Sequence, residues 1–459
     1  MKQIIILGAG QVGHSLAEAL SADGIDITVV DNRAERLAEL EDQFDIKTVH
    51  GFGAHPSVLD AAGGRDASML VAVTDSDEVN MLACQVGSTL FNIETKIARV
   101  RARDYHETPE LFAQDAMPVD MLISPEAIVT SHIQRLIEHP GSLQVLEFAE
   151  GRVSLVGVRA YYGGPLVGHE LKNLRYDMPG VHTRVAAIFR QDRSIQPDGN
   201  TVVEADDEVF FVAAKKNIRA VTSELRKLEK PYKRIMIAGG GNIGRRLAEA
   251  LSKRYRVKVI ERDAERADQL ARELPGNVLV LQGDSADDRF LEAINVEHSD
   301  VFCAVTNDDQ ANIFAGMLAK RYGVRKVMSL INRPSYVDLL QSGTIDVALS
   351  PQQATVSALL ARVREGGTAT VHTLRRGAAE AIETVVSGDS RTSQVVDRRI
   401  DEINLPEGAS VGAVVRDDEV IIPHHDTVIH SGDHVILFLT DRGKVKQVQR
   451  LFQPSPLFF

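Results

Sequence analysis

The strongest constraint on this chain is that it is written twice. AVTDSDEVN, Ala72 to Asn80, returns as AVTNDDQAN, Ala304 to Asn312, and Ala34-Glu35-Arg36 returns as Ala264-Glu265-Arg266. Met121-Leu122-Ile123-Ser124-Pro125 likewise returns as Val347-Ala348-Leu349-Ser350-Pro351. Self-similarity on this scale means two copies of one folding unit, so any reading of the fold has to serve both. In both copies the serine is a natural N-cap and the proline suits the first helical position, so a helix is expected to start there.

Each copy opens on a glycine-rich turn. IIILGAGQVG runs from Ile4 to Gly13 and IMIAGGGNIG from Ile235 to Gly244. A glycine triplet is weak evidence alone, but here a short apolar run suited to an interior parallel strand precedes it. Leu16, Ala17, Ala19 and Leu20 then follow at helical spacing. In such a unit Gly8 permits the tight turn, Gly10 lets a diphosphate approach the backbone, and Gly13 lets helix and strand pack closely. The amides at the helix start, around Ala9, Gln11 and Val12, then face the phosphates. Gly239, Gly240, Gly241, Asn242, Ile243 and Gly244 repeat the arrangement.

The next strand of each copy ends in an acid. Ile27-Thr28-Val29-Val30 leads to Asp31, and Val257-Lys258-Val259-Ile260 leads to Glu261. That is the place of the ribose-binding carboxylate in a dinucleotide fold, about 20 residues beyond the glycines. A carboxylate accepts from ribose hydroxyls and repels a 2′-phosphate, which favours NAD(H) over its phosphorylated form. Thr74 and Asp75 follow the apolar strand Met69-Leu70-Val71-Ala72-Val73, at the strand ends where open parallel sheets collect ligands. Arg99 ends the run Lys96-Ile97-Ala98; it suits bidentate pairing with a diphosphate, with a surface salt bridge as the lesser alternative. Ser329 is read as its counterpart, so the first site is expected to bind NAD(H) better than the second. Asp284-Ser285 after Gly283 points to the adenosine side, and the matching Phe52-Gly53 lacks that carboxylate.

After each unit the composition changes to short strand-like runs separated by turns, from about Leu143 to Glu224 and from about Ala369 to Phe452. Ala187-Ile188-Phe189-Arg190 corresponds to Ala413-Val414-Val415-Arg416. Each of two later strands follows an acidic turn, Ala205-Asp206-Asp207 or Ser431-Gly432-Asp433. The fold class is therefore α/β: two Rossmann-like, doubly wound parallel-sheet domains, each followed by a small α+β lobe. The expected divisions are 1–125, 140–228, 232–350 and 368–453, with Lys230-Pro231-Tyr232-Lys233 joining the halves. The helices beginning at Pro125 and Pro351 carry Ile128, Ile133 and Leu136, or Val356, Leu359 and Leu360, and suit packing between subunits or on their own domain.

Composition narrows the functional classes. A net charge of -12 disfavours nucleic acid, whose phosphates call for clustered basic residues. Apolar runs fall short of the roughly 20 residues that cross a bilayer, so a cytoplasmic protein is expected. Cys84 and Cys303 have no C-x-x-C spacing, and His424, His425, His430 and His434 are irregularly spaced, so neither a disulfide framework nor a metal site is expected. His106, His132 and His169 have no counterpart in the second copy, and no catalytic constellation is common to the two halves. An NAD-dependent oxidoreductase built from a duplicated domain stands as the alternative, weakened by that lack because such an enzyme needs an acid or base beside its cofactor.

The order and duplication of these motifs, with ARVRARDY against SLINRPSYVDL, SPEA against SPQQA, YYGGPLVG, and the ending LFQPSP, resemble the TrkA family, the peripheral subunits of bacterial Trk potassium uptake systems. The resemblance covers essentially the whole chain. It implies paired regulator-of-conductance (RCK) domains and no catalysis. It also implies assembly as a homo-oligomeric ring, commonly a tetramer, on the cytoplasmic face of an integral membrane potassium-transporting subunit such as TrkH. The implied input is NAD(H), with ATP and ADP as further ligands. Matched by motif, the implied contacts are the turn from Gly8 to Val12, then Asp31, Thr74, Asp75 and Arg99, and in the second half the turn from Gly239 to Ile243 with Glu261.

Overall fold

The computed structural model describes residues 3–22, 24–113, 116–178, 180–191, 193–225, 230–333, 336, 345–364, 369–374 and 379–453. Parts of the SLINRPSYVDL and LFQPSP stretches lie outside them. Each half opens on a six-stranded, all-parallel sheet. In the first, the strands run in spatial order Lys47–His50, Asp26–Asp31, Gln3–Leu7, Ala67–Ala72, Thr95–Arg99 and Met121–Ile123. The second repeats that order with Val278–Gln282, Arg256–Glu261, Arg234–Ala238, Val301–Ala304, Lys326–Leu330 and Val347–Leu349. The order reverses beside the first strand of each half, so both glycine turns sit at a switch point, where connections diverge and leave a crevice. Ile4, Ile5, Ile6 and Leu7 are fully buried, which is why this run carries no polar residue.

Antiparallel five-stranded sheets follow, as expected. The first contains Ser142–Phe148, Val153–Arg159, Thr183–Arg190, Arg193–Ile195 and Glu208–Ala214. The second contains Ala369–Leu374, Ala379–Val385, Ala409–Arg416, Glu419–Ile421 and His434–Leu439. Both are held at the same corner by an arginine paired with a buried carboxylate. Arg190 donates to both oxygens of Asp207 at 2.8 and 2.9 Å, and Arg416 to both oxygens of Asp433 at 2.9 and 2.8 Å. The acidic turns noted in the sequence are thus structural anchors. The two lobes share one apolar core, in which Phe148, Phe189 and Phe210 meet Leu374, Ala381 and Phe438.

The helices Pro125–Glu138 and Pro351–Arg364 start where the Ser-Pro pairs place them. Ser124 Oγ accepts from the Ala127 amide at 3.2 Å and Ser350 Oγ from the Gln353 amide at 3.3 Å. They pack on both halves: Ile128 of the first helix rests on the core of its own half and Ala354 of the second on the core of its own, while their other faces cross over. Ile133, Leu136 and Ile137 of the first helix enter the core of the second half with Ile235, Leu247 and Val257. Leu359 and Val363 of the second helix enter the core of the first half with Ile4, Leu16 and Val29. Each half lends a helix to the other, so the duplication folds as an intertwined pair.

His132 lies on the first exchanged helix. Its Nε2 is shielded from water and has no hydrogen-bond partner among the described residues. Burial first, then the charge of Arg135, pushes the ring down to about 4. A value below the ordinary one means that protonation favours unfolding, so the contribution is intact above pH 6.5 and is lost as the pH falls toward 4. His132→Leu should therefore flatten the acid limb of the stability curve, with the wild type losing about 2 kcal/mol more than the variant between neutral pH and pH 5. Urea midpoints at several pH values measure this, and parallel curves would rule the histidine out as the source.

Candidate functional site

The sequence folds the two glycine turns by the same local physics. Gly8 and Gly239 stand at φ of +104° and +109°, which other residues rarely adopt. A Cβ on Gly13 would lie 1.8 Å from the Gly8 carbonyl oxygen, and one on Gly244 1.8 Å from that of Gly239. At the middle glycines the opposite holds. A Cβ on Gly10 would meet nothing nearer than Arg36 Nη1 at 3.9 Å, and one on Gly241 would meet nothing within 4 Å. The outer glycines are therefore required by the fold, and the middle ones face open space. Gly240, where the first turn has Ala9, is kept small by Leu270, 2.1 Å from a built Cβ.

The acids buttress these turns. Asp31 Oδ2 accepts from the Ala9 amide at 2.7 Å and Oδ1 from the Arg33 amide at 2.8 Å. Glu261 Oε2 accepts from the Gly240 amide at 2.9 Å and Oε1 from the Asp263 amide at 3.0 Å. Arg36 and Arg266 stand at salt-bridge range, 3.8 and 3.9 Å. Each carboxylate oxygen keeps a second lone pair, which is what a ribose hydroxyl requires.

The asparagine that closes each AVT motif was quoted in the sequence without a role. Asn80 Oδ1 accepts from both the amide and the hydroxyl of Thr74, at 2.9 and 2.7 Å, while its Nδ2 donates to the Arg99 carbonyl at 2.8 Å. Asn312 does the same for Thr306, and its Nδ2 donates to the Leu330 carbonyl at 3.0 Å. Both asparagines are completely buried. A buried amide satisfied on every side rigidifies the strand ends on which a ligand would rest. Thr74 accordingly spends its hydroxyl hydrogen on Asn80.

This pattern corrects one equivalence. Asn80 reaches Arg99 and Asn312 reaches Leu330, and Ala72 pairs with Ala98 as Ala304 pairs with Ser329. Arg99 therefore matches Leu330, with Ser329 one place earlier, because the second copy is one residue shorter before this strand. Ser329 is buried, and its hydroxyl donates to the Asn312 carbonyl at 3.3 Å.

A cavity of about 750 Å³ opens between the halves. The second half lines it with Gly239, Gly241, Asn242 and Ile243 of the turn and with Glu261, Arg262, Gly283 and Asp284. From the first half it receives Gln11, Val12, Arg99, Arg101, Pro125 and Glu126. Arg99 thus borders both halves: its Nη2 donates to the Thr74 carbonyl at 2.7 Å, while the guanidinium lines the cavity at the second turn. Burial, then the neighbouring charge of Arg101, pulls it down to about 10, so it remains a cation at neutral pH. Asp75 lies apart, in an adjoining pocket of about 460 Å³ with Asp77, Arg101, Arg103, Arg245 and Arg246. At the first turn, Gln352 of the exchanged helix donates to the Gln11 carbonyl at 3.1 Å and the Ser15 hydroxyl at 2.8 Å. Arg101, Arg262 and Gln352 were not singled out in the sequence; no spacing rule marks a residue that arrives from the other half.

Neither cysteine is placed as a nucleophile. Burial pushes Cys84 and Cys303 up to about 12, leaving both thiols inert. His430 Nδ1 contacts Asp397 Oδ1 at 3.2 Å, and His434 Nδ1 contacts Glu383 Oε1 at 2.8 Å. Among the described residues no helix is long and apolar enough to cross a membrane.

Two parallel sheets with a glycine turn at each switch point, each sheet followed by an antiparallel lobe, make this a duplicated Rossmann-like α/β protein. The solved GsuK RCK domain superposes with a TM-score of 0.62 at 18% identity, covering 98% of this chain and 95% of that one. The GsuK channel bound to NAD gives the same TM-score, with 79% of its chain covered. Residues 4–125 and 235–351 match the TrkA-N domain, and residues 155–226 and 390–453 match the TrkA-C domain. The Trk system potassium uptake protein TrkA of Halomonas elongata is 58% identical over 457 residues, with all of both chains covered. That of Vibrio alginolyticus is also 58% identical, with 99% of this chain covered. The chain belongs to the TrkA family. It is accordingly a regulatory subunit of Trk potassium uptake and not an enzyme, which removes the oxidoreductase alternative.

Proposed function

We infer that this chain senses NAD(H) through its glycine turns and uses the difference between its liganded and free states to gate a membrane potassium transporter. The observation that carries the reading is the cavity between the halves, bounded by one half's turn and acid and the other half's Arg99 and Arg101. A ligand there touches both halves, so its binding free energy depends on how they sit. Such differential affinity is what converts binding into a population shift. The bound state of GsuK with NAD supports the choice of ligand. ATP and ADP fit the same acid and glycine chemistry as further ligands.

The site is Gly8 to Gly13, Asp31, Thr74, Asp75 and Arg99 in the first half, and Gly239 to Gly244 with Glu261 in the second. The chain divides into 1–125, 140–228, 232–350 and 368–453, a division supported by the four larger sheets. Its partner is an integral membrane subunit of TrkH type, met at the cytoplasmic face of the inner membrane. Self-assembly into a tetrameric ring would have two exposed apolar residues at equivalent places to build on. Leu82 on helix Asp77–Phe91 is 52% exposed and Phe314 on helix Asp309–Arg321 is 60% exposed.

Potassium flux through the reconstituted membrane subunit, with and without this protein and each nucleotide, tests the reading. Flux should depend on the protein and shift with NADH or an adenine nucleotide; indifference to every combination overturns it. In calorimetry, Asp31→Ala should weaken NADH binding at the first turn about tenfold or more, the cost of losing a charged acceptor. An unchanged isotherm removes Asp31 from the site.

A further inference from the structure

We propose that Phe52, with His55 behind it, is the stacking platform for the adenine base at the first glycine turn, a role that has no aromatic counterpart in the second half. The proposal rests on the nucleotide-binding reading above and adds how the base is held.

The residues after the third strand are placed beside the ribose acid by the sheet itself. His50 is the register partner of Asp31, and the Gly51 amide donates to the Asp31 carbonyl at 2.9 Å. The turn that follows lies flush on the first strand: a Cβ on Gly53 would come within 3.1 Å of the Leu7 side chain, directly before Gly8. A base attached to a ribose at Asp31 therefore finds residues 52–55 as its neighbours. The His55 amide donates to the Phe52 carbonyl at 2.9 Å, which closes the turn and brings the two residues to the same side of it.

Phe52 is nonetheless 56% exposed. It meets the His55 ring at 5.5 Å between centroids and 37° between planes, so the two form a small aromatic shelf at the ligand edge of the sheet. Standing beside the ribose acid, this exposed ring is free to receive a base, whose π-face such a ring accepts.

In the second half the geometry is kept and the chemistry is changed. The Gly283 amide donates to the Glu261 carbonyl at 2.9 Å, as Gly51 does to Asp31. The places of Phe52 and His55 are taken by Asp284 and Asp287. Asp284 accepts from the Ala286 amide through Oδ1 and lines the cavity. A carboxylate there recognises an amino group on the base edge; a ring recognises only the face. The first site is thus built to tolerate changes at the purine amino group, and the second to reject them.

The chain contains no tryptophan, so Phe52→Trp places its sole indole on the shelf. Titrating that full-length variant with NAD or ADP should give saturable fluorescence quenching, absent at the same concentrations when Asp31→Ala is added. The hypoxanthine analogue of NAD should quench with a midpoint within about threefold of NAD itself, because stacking is tolerant of base identity. In calorimetry, Phe52→Ala should weaken the first site about tenfold, the usual consequence of removing a stacking ring. The platform is overturned if first-site binding persists without quenching, or if Phe52→Ala leaves affinity unchanged while Asp31→Ala lowers it. Absence of any adenine-nucleotide binding by the unaltered protein would overturn the nucleotide reading itself, and the platform with it.

Discussion

Gly13→Ala is expected to destabilise the first half by about 3 kcal/mol or more, at the upper end of what overpacking costs. The methyl would have to sit 1.8 Å from the Gly8 carbonyl oxygen and 3.0 Å from its carbonyl carbon. Both are backbone atoms of the tight turn, so no side chain can swing aside to relieve the contact. Gly244→Ala repeats the clash against Gly239 at the same distance and should do the same to the second half. The informative control is Gly10→Ala. Its methyl has room, with Arg36 Nη1 at 3.9 Å as the nearest neighbour. Its stability should stay within about 0.5 kcal/mol of the parent, yet affinity for NADH should fall, because the methyl fills the space a diphosphate approaches. Denaturant melts and calorimetry on the three variants separate the roles. Equal loss of stability in Gly10→Ala and Gly13→Ala would deny that the middle glycine serves a ligand.

The second large effect concerns the charges lent across the cavity. Arg99→Ala combined with Arg101→Ala should lower the affinity of the second turn for ADP or NAD about a hundredfold, the worth of roughly two charge-assisted bonds to phosphate. The substitutions lie in the first half, and the loss is read at the second. Calorimetry in a Gly10→Ala background isolates that site, and the slope of affinity against salt should flatten as the cationic contacts disappear. Unaltered binding at the second turn would show that the cavity is not where phosphates lie. Lys in place of Arg99 should recover only part of the affinity, since an ammonium lacks the planar fork.

The sequence carried the parts of this fold that are written locally. Buried runs, glycine turns, the acids Asp31 and Glu261, and the Ser-Pro helix starts each follow from short-range rules, and the repeat doubled every such clue. What it did not carry is where an apolar helix face goes. Ile133 and Leu136 announce burial, but their periodicity is the same whether the partner is their own sheet, another subunit, or the other half of the chain. The single-residue difference that brings Leu330 opposite Arg99 was likewise invisible until the two asparagines showed which carbonyls they reach. Arg101 and Gln352 belong to sites far away in sequence, and only the exchange of helices brings them there. Phe52 was legible only as a missing carboxylate; its exposure and its turn against Leu7 gave it a reason.

The exchange of helices also determines how the two halves can change over time. Two separate copies meeting as a dimer would be diluted apart and would have to remain identical, because every substitution appears on both sides of their shared face. A single covalent chain is under neither restriction. Its halves stay together at any concentration, and a residue such as Arg99 can be kept in one half while its counterpart becomes Leu330, with no mispaired assemblies to compete. The intertwined helices make asymmetry inheritable, and an asymmetric pair can answer two ligands, or two concentrations of one, where a symmetric pair would give the same answer twice.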